Sequence, residues 1–300
     1  MTTGDGEAMR GHRPGPAGPH PRPQRALLPK VAGASGSRPA GADPQSLLIT
    51  GASSGIGAAL ARAYAAPGRV LFLTGRDRAR LDAVAEACRA LGARVETALL
   101  DVTDAAATAA FLRAADAAYP LDLVIANAGI AEGVSEPATD LEAARRLIEV
   151  NLFGSLNTLA PAIAAMAGRG RGQVVLMSSI AALRGLPGSH GYSASKAALK
   201  ALAEGLRAPL AARGVAVNLV LPGFVRTPMN EGRGFPTPLR IEPDRAAAII
   251  RRGLAANRAV IAFPRLTWWA ARALALWPRL ADALAMRVAR HGAPPSPPGS

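Results

Sequence analysis

One cysteine in 300 residues, Cys88, excludes an internal disulfide and any metal cluster built on several thiolates, and it fits a chain that works in a reducing cytoplasm. Aromatic residues make up only 4% of the chain, and lysine occurs only at Lys30, Lys196 and Lys200. The net charge of +14 would by itself point to nucleic acid. No basic cluster, however, is interleaved with the aromatic side chains on which bases stack, so no nucleic-acid partner is expected. The charge is also uneven. Residues 1–44 carry 6 basic and 3 acidic side chains and residues 264–300 carry 5 and 1, so the two ends hold half the excess. No metal is expected either.

Hydrophobic residues are plentiful, at half of the chain, and 300 residues suffice for a large buried core. The first 44 residues stand apart. They are crowded with Gly, Pro and Arg, have no apolar period, and reach only Ala26-Leu27-Leu28 as an apolar run, so they are expected to form a disordered arm. The same lack of a longer apolar run argues against a secretory signal.

At Leu47-Leu48-Ile49 the pattern changes. This apolar run breaks into Thr50-Gly51-Ala52-Ser53-Ser54-Gly55-Ile56-Gly57 and then an alanine-rich helical stretch, which is a strand, a glycine turn and a helix. Glycines let the backbone fold back sharply and let a bulky group approach. The helix that follows offers unpaired N–H groups and a partial positive charge, the usual seat of a pyrophosphate. Gly51, Ser53, Ser54, Gly55, Ile56 and Gly57 are therefore candidate cofactor-binding residues.

From there strands alternate with helices. Strands are expected over 47–49, 70–74, 95–100, 121–126, 173–177, 215–221 and 259–263, with helices over 77–91, 105–118, 140–167, 193–212 and 243–256 between them. The long helix is expected to run through Asn151 and to bend near Pro161. This alternation specifies an α/β fold, a Rossmann-like doubly wound parallel sheet of about seven strands with helices on both faces. Arg76, in Thr74-Gly75-Arg76 after the second strand, stands where the 2′-phosphate of NADP would lie. An acidic residue ending that strand would instead favour the free ribose hydroxyl of NAD, and Asp77 is read as the N-cap of the next helix, so NADP(H) is favoured over NAD(H).

Tyr192-Ser193-Ala194-Ser195-Lys196 opens the helix after the fifth strand, and the four-residue spacing puts the phenol and the ammonium on one face. A phenol with a pKa near ~10 is a poor acid or base at neutral pH, and a cation beside it lowers that value. Ser178 and Ser179 end the preceding strand at its carboxyl edge, where ligands bind in open α/β sheets.

With these motifs in order, the chain resembles the short-chain dehydrogenase/reductase family of the ordinary single-domain type over about residues 46–263. The resemblance implies Tyr192 as proton donor and acceptor for the substrate oxygen, Ser179 as its partner in binding that oxygen, Lys196 on the nicotinamide ribose, and Asn151 as anchor of a water in the proton relay. It also implies that Asp101 with Val102, Asn127, Gly129, Pro222 and Thr227 contact the cofactor alongside Tyr192 and Lys196. Ser179 is preferred to Ser178 because it precedes Tyr192 by the family's usual interval. The family often has two asparagines before Ala-Gly, and here the first is Ala126, which implies a slightly altered cleft. A homo-oligomer is likewise implied by resemblance.

Specificity is expected from 183–190, the loop after Gly129, and 224–242, with Leu183, Leu186, Pro187, Met229, Phe235 and Leu239 among Arg226, Arg233 and Arg240, and with His190 as polar lining. The domain plan is therefore a disordered arm (1–44), an NAD(P)-binding catalytic domain (45–263), an amphipathic helical segment holding Trp268, Trp269, Trp277 and several arginines (264–291), and a disordered tail (292–300). Arg272, Pro278, Arg279 and Asp282 interrupt that segment, so it is not a spanning helix; membrane surface, lid and core packing all remain open for it. The expected activity is interconversion of a small-molecule carbonyl and a secondary alcohol, in the cytoplasm or at the inner face of a membrane. A non-catalytic NADP-binding regulator of the same fold would be expected to show a degraded Asn151, Ser179, Tyr192 and Lys196 set, and a membrane-surface scaffold rests on the tail alone.

Overall fold

The computed structural model describes residues 43–131, 141–185, 188–230, 239–277, 279 and 282. Most of the expected arm, the tail over 292–300, and Leu186, Pro187, Arg233 and Phe235 lie outside the described residues. Seven strands form one sheet: β1 (Ser46–Ile49), β2 (Val70–Gly75), β3 (Arg94–Leu99), β4 (Leu123–Ala126), β5 (Gly172–Met177), β6 (Val215–Pro222) and β7 (Val260–Phe263). Their order is β3-β2-β1-β4-β5-β6-β7 and every pairing is parallel. The order reverses between β1 and β4, where Ile49 stands opposite Ile125, and loops leaving the two strands part to either side. That is the crevice in which ligands bind in doubly wound sheets.

Alternation along the strands sorts the core into two layers. Leu47, Ile49, Leu71, Leu73 and Ile125 face α1 (Gly55–Tyr64), α2 (Arg78–Ala90) and α7 (Pro243–Ala255), meeting Leu60, Leu81 and Ile250. Leu48, Phe72, Val124, Val174 and Leu176 face the other way, toward α3 (Ala105–Ala118), α5 (Gly154–Gly168) and α6 (His190–Ala211), meeting Leu112, Leu159 and Leu199. A strand covered on both faces favours apolar side chains on both, which is why β1, β2 and β4 are built on the apolar runs 47–49, 70–73 and 123–126. Each fully buried leucine removed from water is worth about 1.5–3 kcal/mol.

The expected helix over 140–167 is not one regular helix. It comprises α4 (Leu141–Ile148), a π-helical turn at Glu149–Phe153, and α5, and the irregularity falls at Asn151 rather than near Pro161. The wider turn is held by side chains: Ser155 Oγ donates to Asn151 O at 2.6 Å and Thr158 Oγ1 to Gly154 O at 2.9 Å. Such single π turns concentrate at functional sites. The run Leu141–Gly168 is long and apolar enough to cross a membrane by length and composition, but Leu159, Ala162 and Met166 of its second half lie in the core. The helix expected from 193 begins three residues earlier, so Tyr192 already lies within the first turn of α6. A further helix, α8 (Arg265–Leu274), lays Trp268 and Ala271 against the core and leaves Leu266 and Trp269 exposed.

Candidate active site

The glycine turn is clamped from the neighbouring strand. Asn127 Nδ2 donates to Thr50 O at 3.0 Å and to Gly51 O at 3.1 Å, while Thr50 Oγ1 accepts from the backbone N–H of both Asn127 and Ala128 at 3.1 Å. These bonds cross from the end of β1 to the end of β4 and hold the crevice at a set width. Gly51 has φ 66° and Gly55 φ 55°, a region that side chains rarely adopt. A Cβ on Gly57 would stand 2.3 Å from Gly51 O, so Gly57 serves the turn from within. Of the expected cofactor set it alone does not line the cavity described next.

That cavity, of about 940 Å³, lies along the carboxyl edge of the sheet. Its lining includes Gly51, Ser53, Ser54, Gly55 and Ile56 from the turn, Arg76, Asp101, Val102, Asn127 and Gly129 from the next three strand ends, and Ser179, Tyr192, Lys196, Pro222 and Thr227 from the far side. Ser54, at the N-cap of α1, makes no side-chain cap bond, so the first N–H groups of the helix face the cavity without competition from that hydroxyl. Volume, glycine cradle and helix N-terminus together suit a pyrophosphate-bearing dinucleotide.

Arginines gather at the end of β2. Arg76, Arg78 and Arg80 all line the cavity. Asp77 is the N-cap of α2: its carboxylate accepts from Arg80 N at 3.0 Å and from Arg80 Nε at 2.6 Å, and these bonds hold its pKa below the ordinary value. Asp77 and Arg80 are thus engaged with each other, whereas Arg76 is 64% exposed and its ion pair with Asp101 spans 4.0 Å. Asp101 accepts from the backbone and side chain of Thr103, at 3.0 and 2.8 Å, which lowers its pKa, with Arg76 helping.

On the other side of the crevice, Lys196 is buried, donates to Met177 O at 2.9 Å, and has its Nζ 5.5 Å from the Tyr192 ring centroid. Burial pulls its pKa down to about 8. The two serines differ as their positions require. Ser178 is buried and donates to Lys196 O at 2.7 Å, which ties β5 to α6. Ser179, half-buried, caps the short turn Ile180–Leu183 by accepting from Ala181 N at 3.1 Å, and its own donor has only a long 3.4 Å contact, to Pro222 O.

Asn151 is fully buried behind the cavity wall and does not line it. Its Oδ1 accepts from Ile130 N at 2.8 Å and its Nδ2 donates to Ile130 O and to Ser195 Oγ, both at 3.0 Å. Gly129 makes room for this arrangement, since a Cβ there would meet Asn151 Oδ1 at 2.9 Å. Thr50 and Ser195 are the two polar side chains of this framework that sequence spacing does not single out. His190 begins α6 and is not part of the cavity lining.

A family model described as short chain dehydrogenase matches residues 45–234. An uncharacterized oxidoreductase of Myxococcus xanthus is 40% identical over 218 residues, which cover 72% of this chain and 86% of that protein. Among solved structures, a short-chain dehydrogenase from Sphingobium yanoikuyae in complex with NADPH is similar with a TM-score of 0.67 and 31% identity, over 79% of this chain and 95% of its own. A short chain dehydrogenase from Mycobacterium paratuberculosis bound to NAD is similar with a TM-score of 0.65 and 26% identity, over 73% and 94%.

Proposed function

The chain belongs to the short-chain dehydrogenase/reductase family and is an oxidoreductase acting on CH–OH and C=O groups, and from that premise we propose that it interconverts a carbonyl and a secondary alcohol with NADP(H) as favoured cofactor and Tyr192 as general acid and base. One observation carries the reading: the glycine turn, Ser179, Tyr192 and Lys196 line a single cavity at the carboxyl edge of the sheet. Residues 45–263 form the catalytic unit. The nicotinamide cofactor supplies the hydride when bound; Gly51, Ser53, Ser54, Gly55 and Ile56 would hold its pyrophosphate, Asp101, Val102, Asn127 and Gly129 its adenosine side and cleft, and Lys196, Pro222 and Thr227 its nicotinamide end.

The protein's own part is to bind and to move a proton. Ser179 Oγ and Tyr192 Oη hydrogen-bond the substrate oxygen, so negative charge that gathers there during reduction meets a donor. Tyr192 gives up its proton to that oxygen, and the Lys196 ammonium stabilises the phenolate left behind. Asn151 keeps the wall behind Gly129 in place; its amide is bonded to Ile130 and Ser195 behind that wall, so its part is structural support of the cavity rather than the expected anchoring of a water within it.

The exposed Arg76, beside an Asp77 already occupied by Arg80, supports a preference for the 2′-phosphate. The test is a screen of aldehydes, ketones and alcohols against NADPH and NADP followed at the nicotinamide absorbance, with titrations of both reduced cofactors. A preference for NADPH that Arg76→Ala erodes is expected, and equal affinity of the wild type for NADPH and NADH would overturn it. The enzyme acts in the cytoplasm as a homo-oligomer, to be checked by light scattering. The exposed side of α8 gives it a peripheral contact with anionic membrane surfaces.

A further inference from the structure

Ser195 is buried in α6 and lies one turn from Tyr192. Its hydroxyl is engaged in both senses: it donates to Tyr192 O at 2.7 Å and accepts from Asn151 Nδ2 at 3.0 Å. Asn151 in turn is fixed in orientation, because its Oδ1 faces the Ile130 N–H and its Nδ2 faces two acceptors; a flipped amide would oppose donor to donor and acceptor to acceptor. The bonds therefore form one directed chain from the loop after β4, through the π-turn, to the backbone of the residue that carries the phenol. A serine side chain bonded only to its own helix would have no such reach.

We propose that Ser195 is a positioning residue for the reaction: its hydroxyl fixes the backbone of Tyr192 against Asn151, and so sets where the phenol stands relative to Lys196 and to the Gly129–Ile130 wall of the cavity. The proposal rests on Tyr192 being the acid and base. The phenol gains from a cation only while the two are held together, and the energy of that pairing falls with distance. The ionisable groups on the elements packed against this part of α6, Glu142, Arg145 and Arg146 of α4 and Glu149 of the π-turn, are exposed to solvent; Arg184, after the turn Ile180–Leu183, pairs with Asp282, His190 lies in the same first turn as Tyr192, and Lys196 is the buried cation whose Nζ stands 5.5 Å from the Tyr192 ring.

The chain contains only three tyrosines, Tyr64, Tyr119 and Tyr192, so a protein labelled with [13C]tyrosine at Cζ gives a spectrum in which Tyr192→Phe identifies the Tyr192 signal. Its titration with NADP bound needs no substrate. In the wild type the midpoint is expected below the ordinary ~10 of a phenol, in Ser195→Ala it is expected to move up by about half a unit or more, and in Ser195→Thr, which keeps the hydroxyl, to return. An ordinary midpoint in the wild type would overturn the assignment of Tyr192 itself. A lowered midpoint that Ser195→Ala leaves in place would overturn the role of Ser195 alone, even if the variant melts at a lower temperature. With the best carbonyl substrate from the screen, Ser195→Ala should lower kcat about 10-fold while NADPH affinity, read by fluorescence titration, stays within about twofold. Equal losses in both readouts would mean a general loosening of the fold and would count against positioning.

Discussion

Tyr192 and Lys196 pose opposite demands on the same few ångströms. The phenol needs a cation nearby, yet the cation must leave water to get there, and burial alone draws Lys196 down to about 8. The ammonium is therefore charged below that value and is lost as the pH rises through it. If it binds the cofactor and supports the phenolate, NADPH affinity should weaken as the pH passes about 8, and Lys196→Ala should bind more weakly throughout with that dependence gone. A wild-type affinity that is flat from pH 7 to pH 10 in titrations would contradict the role. Tyr192→Phe keeps the ring and removes the proton, so turnover should fall by at least ~100-fold with cofactor affinity little changed. Wild-type turnover in that variant would exclude Tyr192 as the acid, however well the glycine turn holds its nucleotide. At this scale the sequence was informative because chemistry leaves few substitutes: a phenol beside an ammonium at i and i+4 is visible as letters. Ser195 was not, because a serine four residues from several neighbours gives no sign of which of them it bonds.

The strand, turn and helix at 46–64 work as one element, and their tolerance is set by backbone contacts. A methyl group at Gly57 would stand 2.3 Å from Gly51 O and 2.6 Å from Asn127 Nδ2, so Gly57→Ala must displace either the turn or the clamp that holds it. Overpacking of this kind costs about 1–3 kcal/mol, and the displaced turn should bind NADPH at least ~10-fold more weakly. Urea unfolding and a fluorescence titration measure the two losses, and binding within twofold of wild type would show that the turn does not depend on this approach. The π-turn at Glu149–Phe153 is the element that periodicity misplaced. Helical spacing of apolar residues continues through it, and Pro161 looked like the weaker point. The extra residue in that turn is sustained by Ser155, Thr158 and the bonds of Asn151, and contacts of that kind have no period.

For the whole molecule, α8 carries apolar side chains on its outer side as well as on the side that meets the core. Trp268 and Ala271 pack on the core, while Leu266, Trp269 and Trp277 are exposed beside Arg265 and Arg272, with no acidic residue over 265–277. An apolar face flanked by arginine suits an anionic lipid surface. The full chain should cosediment with anionic vesicles, and Trp269→Ser with Trp277→Ser should abolish this while leaving Trp268 and the fold in place. Cosedimentation that survives the double substitution would remove α8 as the contact. Of the three placements left open for this segment, part of the answer is packing on the core, and the sequence could not say which tryptophan faces inward because adjacent Trp268 and Trp269 are the same residue type.

The amino-acid sequence by itself determined the architecture and the family. A parallel sheet covered on both faces follows from apolar strands alternating with helices, and the family follows from the ordered motifs that run from the glycine turn to Tyr192 and Lys196. Tertiary structure alone decided how they are held. The clamp of Thr50 and Asn127 across the switch point joins residues 77 positions apart, and the chain from Ile130 through Asn151 and Ser195 to Tyr192 draws on three separate segments. Such bonds depend on distances between elements, which are set by packing of the whole core and carry no local pattern for the sequence to display.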